Sequence, residues 1–217
     1  MPELSVLLLF IALFVMSVRG FRDPVFFRKY LLEVDDIKYK KEYYRLFTSG
    51  FLHVDWMHLL FNGITLYFFY NIPFSLLGEV RFFVLYFAGL GLSGYFSYLV
   101  NRHKGNYAAV GASGAVSAVL FSAIVLYPKL ELIIFPIPLP IPGYLFAVAY
   151  LLFTTYGMRR SLGNIGHAAH LGGAAAGVLL TVAMEPRVLT AHPLIVSAMA
   201  ILVFGLILWE LKRQRIL

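Results

Sequence analysis

The stretch GASGAVSAVL, residues 111–120, decides how this chain is read. It consists almost wholly of small and apolar residues, yet it carries a hydroxyl, Ser113, between two glycines. Glycine costs a helix interior roughly 1 kcal/mol against alanine. Such a composition suits a helix in a membrane bundle. There lipid and side chain are equally apolar, and close backbone contact over small residues becomes a main source of association. Packing therefore accounts for most of the glycines in the chain.

Outward from this stretch, the apolar run covers 108–127 and is one of seven, the others being 5–18, 57–77, 82–100, 143–157, 165–184 and 193–209. The chain is 60% hydrophobic and only 13% charged, where a soluble domain carries about 25% charged residues. Long apolar runs of this kind are the signature of membrane helices. Some are near the lower limit for ~30 Å of hydrocarbon, which predicts a thinned bilayer or helices that do not fully cross. The expected fold class is therefore all-α, a polytopic membrane helix bundle. The net charge of +7 lies in short connections, which points to topology and headgroup contact rather than nucleic acid. With no cysteine, disulfides and thiolate chemistry are excluded. The first run lacks a preceding basic region and ends in SVRG, so it is read as a retained span rather than a signal peptide.

Two connections stand out. Residues 19–56 are long and mixed, and PVFFRKYLLEV within them suits the membrane surface. Residues 130–143, LELIIFPIPLPIPG, carry prolines at 136, 138, 140 and 142, which forbid a regular helix and predict an extended link.

Few polar residues inside the runs can do chemistry. His58 and Asn62 open the second run, Ser113 lies near the start of the fourth, and His167 and His170 near the start of the sixth. If every run crosses, these three helices start in one leaflet. A rise of 1.5 Å per residue then puts Ser113 and His170 within roughly 5–10 Å of the same face. A histidine in a membrane span is costly and marks function by default. A serine hydroxyl needs a base to become a nucleophile, and histidine is the usual one. Attack on a carbonyl needs preorganised donors for the oxyanion, which an asparagine amide, a second imidazole and free N–H groups at a helix start can supply.

GASG around Ser113, AHLGGAAAG carrying His170, and HVDWMHLLFN ahead of the second span together resemble the rhomboid family of intramembrane serine proteases, over roughly residues 40–180. The resemblance implies a six-helix core, 1–184, with an additional helix and basic tail, 185–217. It implies an endopeptidase that cleaves transmembrane segments of membrane proteins, with no cofactor and no metal. Ser113 would be nucleophile and His170 general base and acid. His58 and Asn62 would hold the oxyanion. Gly111 and Gly114 would flank the nucleophile, and Gly173 and Gly177 would seat the sixth helix on the fourth. Arg45 in YRLF resembles a structural arginine of the family's first loop. One departure is Ser117, where many members carry an aromatic residue that packs on the histidine; either another group, such as a tyrosine from another helix, holds the histidine instead, or the site is looser. His53 is expected to tie down the first loop, and the fifth span is the expected lateral gate.

Three competing readings are weaker. A metal held by His58, His167 and His170 lacks the HExxH pattern and a nearby carboxylate. A channel or transporter lacks a charged relay. A catalytically inactive rhomboid-like protein that binds transmembrane helices would typically lack the serine or the histidine, and both are here. The family's usual orientation puts the site on the outer face, whereas the bias of Lys and Arg favours the reverse. The expected location is the plasma membrane of a prokaryote, with the lipid bilayer and transmembrane substrates as partners.

Overall fold

The computed structural model describes residues 3–134, 137–160 and 166–216. Pro136 and residue 165, the first of the sixth run, lie outside the described residues. In chain order the elements are α1 (Leu4–Arg22), α2 (Pro24–Tyr30), β1 (Leu32–Glu33), α3 (Val34–Lys40), α4 (Arg45–Thr48), α5 (Trp56–Phe69), α6 (Asn71–Leu77), α7 (Glu79–Asn101), β2 (Ala108–Ala109), α8 (Ser113–Leu126), β3 (Glu131–Ile134), β4 (Ile137–Pro142), α9 (Gly143–Arg160), α10 (His167–Met184), α11 (Val188–Ala191) and α12 (Pro193–Arg213). The architecture is an all-α bundle, interrupted by two short antiparallel ladders.

Among the described residues, α1, α7, α10 and α12 are each long and apolar enough to cross a membrane. The pair α5 and α6 is long and apolar enough only when taken together, and it bends by 41° at the break between them. Pro73 sits in the first turn of α6, where its ring and missing N–H account for the break. This is fewer than the seven runs in the sequence, and α8 shows why. Its 14 residues extend only about 21 Å. Every residue from Gly114 to Val125 is buried, so protein rather than lipid surrounds it. A helix sheltered on all sides need not match the bilayer, and its N-terminus can end below the surface.

Helix α8 belongs to both large buried clusters. One joins Val6, Leu9 and Leu13 of α1 to Leu66 of α5, Phe82 and Leu85 of α7, and Ala115 and Val119 of α8. The other joins Phe121 and Ile124 of α8 to Leu151 of α9, Leu171 and Ala174 of α10, and Val196, Met199 and Val203 of α12. Small residues set the helix spacing. A Cβ on Gly89 of α7 would lie 2.6 Å from that of Ala118. A Cβ on Gly177 of α10 would lie 2.9 Å from the Cα of Ala118. Only the missing side chain permits these approaches.

The first connection folds into its own small structure. Arg45 is buried, with Nη1 donating to the carbonyls of Arg28 and Leu31, both at 2.8 Å. Its Nη2 donates to Asp36 Oδ2 and its Nε to Glu42 Oε2, each at 2.7 Å. Leu32, Val34, Ile37 and Leu46 cluster beneath. The Lys40 ammonium and then the Arg45 guanidinium hold the Asp36 carboxyl below the ordinary carboxylate range, and Arg45 does the same for Glu42. In the described part of the proline-rich link, β3 and β4 are extended and pair antiparallel, with Leu132 opposite Ile141 and Glu131 opposite Pro142.

Candidate functional site

The fourth apolar run begins at 108, but its first residues are not helical. Ala108 and Ala109 pair with Glu33 and Leu32 of the first connection, and Val34 N donates to Tyr107 O at 3.0 Å. Gly111 N donates to Ser49 O at 3.0 Å, and Gly111 has φ +125°, which an L side chain rarely adopts. That conformation turns the chain into α8, so Ser113 is the first helical residue. The first-turn amides have no acceptor within their own helix. The nucleophile candidate thus stands at a helix N-terminus, fixed from behind by the first connection.

His58 and Asn62 lie one turn apart on α5 and face this segment. A Cβ on Gly111 would lie 2.7 Å from Cε1 and Nε2 of His58 and 3.8 Å from Nδ2 of Asn62. Asp55 caps α5, accepting from His58 N at 2.7 Å, and Asn62 Nδ2 donates to His58 O at 3.1 Å.

Helix α10 reaches α8 over glycine. A Cβ on Gly173 would meet the carbonyl of Gly114 and lie 3.0 Å from Ser117 Cβ. A Cβ on Gly114 would lie 2.7 Å from Ser93 Cβ and 3.5 Å from the carbonyl of Ala169, next to His170. The His170 ring stacks on Tyr150 of α9, with centroids 5.9 Å apart and planes 18° apart. The Tyr150 hydroxyl is hydrogen-bonded to Ser117 Oγ at 2.6 Å, one turn beyond Ser113 on α8. His167 packs edge-on against His170 at 6.2 Å and against Phe153 at 5.6 Å. Among the described residues, no hydrogen bond joins Ser113 to His170. Catalytic hydrogen bonds are often long in unliganded sites and tighten when substrate arrives.

Beside Ser113 is a cavity of about 20 Å³, room for a water molecule. Ser49, Ser93, Ser97 and Ser113 line it among apolar residues that include Leu32, Leu46 and Leu90. The serines other than Ser113 were not legible as site residues, because they come from the first connection and α7 with no common spacing. Among the described residues, no three metal-ligating side chains converge.

His53 links the first connection to the segment that leads into α8. Its ring is fully buried and packs edge-on against His58 at 4.9 Å. Ala112 N can only donate, so Nε2 accepts from it at 3.4 Å and Nδ1 carries the proton. Nδ1–H then donates to Ser17 Oγ at 2.8 Å, and that hydroxyl donates to Phe51 O at 3.1 Å. Burial, and then the neighbouring His58, lower the pKa of His53 from 6.5 to about 3.

A polytopic helix bundle, with a hydroxyl at the start of its buried helix and imidazoles arriving from two neighbours, defines a membrane protein with a polar site between helices. The rhomboid domain matches residues 40–187, and the chain belongs to the rhomboid family. It is 30% identical over 177 residues to RHOMBOID-like protein 12, mitochondrial, of Arabidopsis thaliana, covering 74% of this chain and 52% of that protein. It is 31% identical over 158 residues to Rhomboid protein 1, mitochondrial, of Saccharomyces cerevisiae, covering 71% and 45%. Presenilin-associated rhomboid-like protein, mitochondrial, of Homo sapiens is 30% identical over 136 residues, covering 60% and 35%. The chain thus spans about half the length of these relatives, or less. It is an integral, multi-pass membrane protein.

Proposed function

We propose that the protein is an intramembrane serine endopeptidase that cleaves transmembrane segments of membrane proteins through Ser113 and His170. The observation that carries this reading is the convergence at the first turn of α8. Glycine contacts bring α10 against α8 there, and Tyr150 ties the His170 ring to the turn that follows Ser113. In the proposed reaction His170 takes the Ser113 proton as Oγ attacks the scissile carbonyl. The oxyanion is held by His58, Asn62 and the first-turn N–H groups of α8. His170 then protonates the departing amine, leaving an acyl-enzyme on Ser113. Water from the serine-lined cavity hydrolyses the acyl-enzyme with His170 again as base.

A helical substrate satisfies its own backbone and hides its carbonyls. The substrates are therefore single spans with Gly or Pro near the cut, which unwind easily. The six-span part, 1–184, would carry the chemistry, with 185–217 as an addition that packs on α9 and α10. The names of the three relatives are mitochondrial, so they lend no support to a prokaryotic plasma membrane.

The test is purified protein in liposomes with a Gly-containing single-span substrate, wild type beside Ser113→Ala and His170→Asn. Cleavage lost in both variants, with a fluorophosphonate attached to Ser113 in wild type, supports the reading. Cleavage that survives Ser113→Ala overturns it. Tight binding of the span by wild type without cleavage or labelling means an inactive helix-binding relative instead.

A further inference from the structure

The ring against the general base comes from a different helix than the nucleophile. The position one turn beyond Ser113 is Ser117, which has no ring to offer, and its hydroxyl instead holds the hydroxyl of Tyr150 on α9. The Tyr150 ring lies nearly parallel to His170. Phe121 and Phe146 also pack against that ring, with centroids at 5.7 and 5.9 Å. Helix α9 is the peripheral partner in this arrangement. Leu145, Val148, Leu152 and Tyr156 on its outer face are exposed, while Ala147, Leu151 and Thr154 are buried. Its far end is fastened to α12, where Arg159 lies over the Trp209 ring at 3.9 Å.

We infer that Tyr150 is a positioning residue for His170, anchored by Ser117, so that the seat of α9 sets the orientation of the base. This rests on the proteolytic reading above. Three groups on three helices act in series: Ser117 on α8 fixes the Tyr150 hydroxyl, Tyr150 on α9 fixes the imidazole plane, and His170 on α10 then faces the first turn of α8. Displacing α9 outward draws the ring off the imidazole. The site is therefore fully armed only while α9 is seated, and a span entering beside α9 must do so without unseating Tyr150.

The experiment compares Tyr150→Leu, Tyr150→Phe and Ser117→Ala by two readouts: the rate of fluorophosphonate attachment to Ser113, and kcat and KM on a single-span substrate. Tyr150→Leu removes the stack, and the expected result is a fall in labelling rate and kcat of about 10- to 100-fold with KM unchanged. Tyr150→Phe keeps the ring without its anchor and recovers only part of that loss. Ser117→Ala frees the ring's hydroxyl and gives an intermediate loss. Where Tyr150→Leu does not fold, Tyr150→Met fills the same space without a ring. A folded Leu or Met variant with wild-type labelling and kcat overturns the inference, as does a Phe variant no better than Leu. Wild type that neither cleaves nor labels overturns the proteolytic reading itself, a separate result.

Discussion

Acid should destabilise this protein in part through the buried ring of His53. His53 is neutral in the fold, with its pKa held at about 3 against 6.5 for the free side chain. Between these values the unfolded chain binds a proton that the folded chain does not, so stability rises with pH across the window. The contribution is complete above about pH 6.5 and is lost progressively as pH falls toward 3. One proton corresponds to about 1.4 kcal/mol per pH unit, so acidification from 6.5 to 4.5 removes about 2–3 kcal/mol. The structure gives the cause. Protonating Nε2 turns the acceptor of Ala112 N–H into a donor facing a donor, in a site closed to water. Asp36 and Glu42, whose pKa values are also depressed, add their losses only below the ordinary carboxylate range near pH 4. The assay is unfolding in detergent followed by Trp56 and Trp209 fluorescence, for wild type and His53→Gln, from pH 7.5 to 4.5. The glutamine variant starts about 1 kcal/mol less stable, having a poorer hydrogen bond. It then loses one proton's slope less than wild type, so the two curves approach each other as pH falls. Parallel curves would refute the argument.

Gly177→Ala places a methyl against the backbone of Ala118, which cannot yield, so α10 and α8 must part. The expected cost is about 1–3 kcal/mol, with slower fluorophosphonate labelling, whereas Gly205→Ala, with open space around it, costs nothing in thermal midpoint; equal midpoints for the two variants would contradict this packing. Arg45→Met leaves two carbonyls and two carboxylates without their shared donor, and loses about 3–5 kcal/mol, read as rapid limited proteolysis within residues 28–45. Arg45→Lys recovers little of it, because one ammonium lacks the fork that reaches four acceptors. Trp209→Leu removes the contact with Arg159 and lowers stability by about 1 kcal/mol, checked by thermal unfolding beside an Arg159→Gln variant, which should lose no further stability when combined with it.

The sequence by itself determined the class of fold and the short set of residues that can do chemistry. Long apolar runs leave a chain few choices beside helices in a membrane, and a hydroxyl or imidazole is conspicuous where almost everything else is aliphatic. The motifs around His58, Ser113 and His170 were legible because each is local, set by the helical period or by a glycine that a turn demands. Tertiary structure alone decided how deep α8 lies, since a run of apolar residues reads the same whether lipid or protein covers it. It alone showed that the first connection holds Tyr107–Gly111 by backbone pairing, which carries no side-chain signature. It also decided which tyrosine faces His170. Tyr150 and Ser117 are 33 residues apart, and no spacing rule relates positions on different helices. That pairing exists only because small residues let α8, α9 and α10 close on one another.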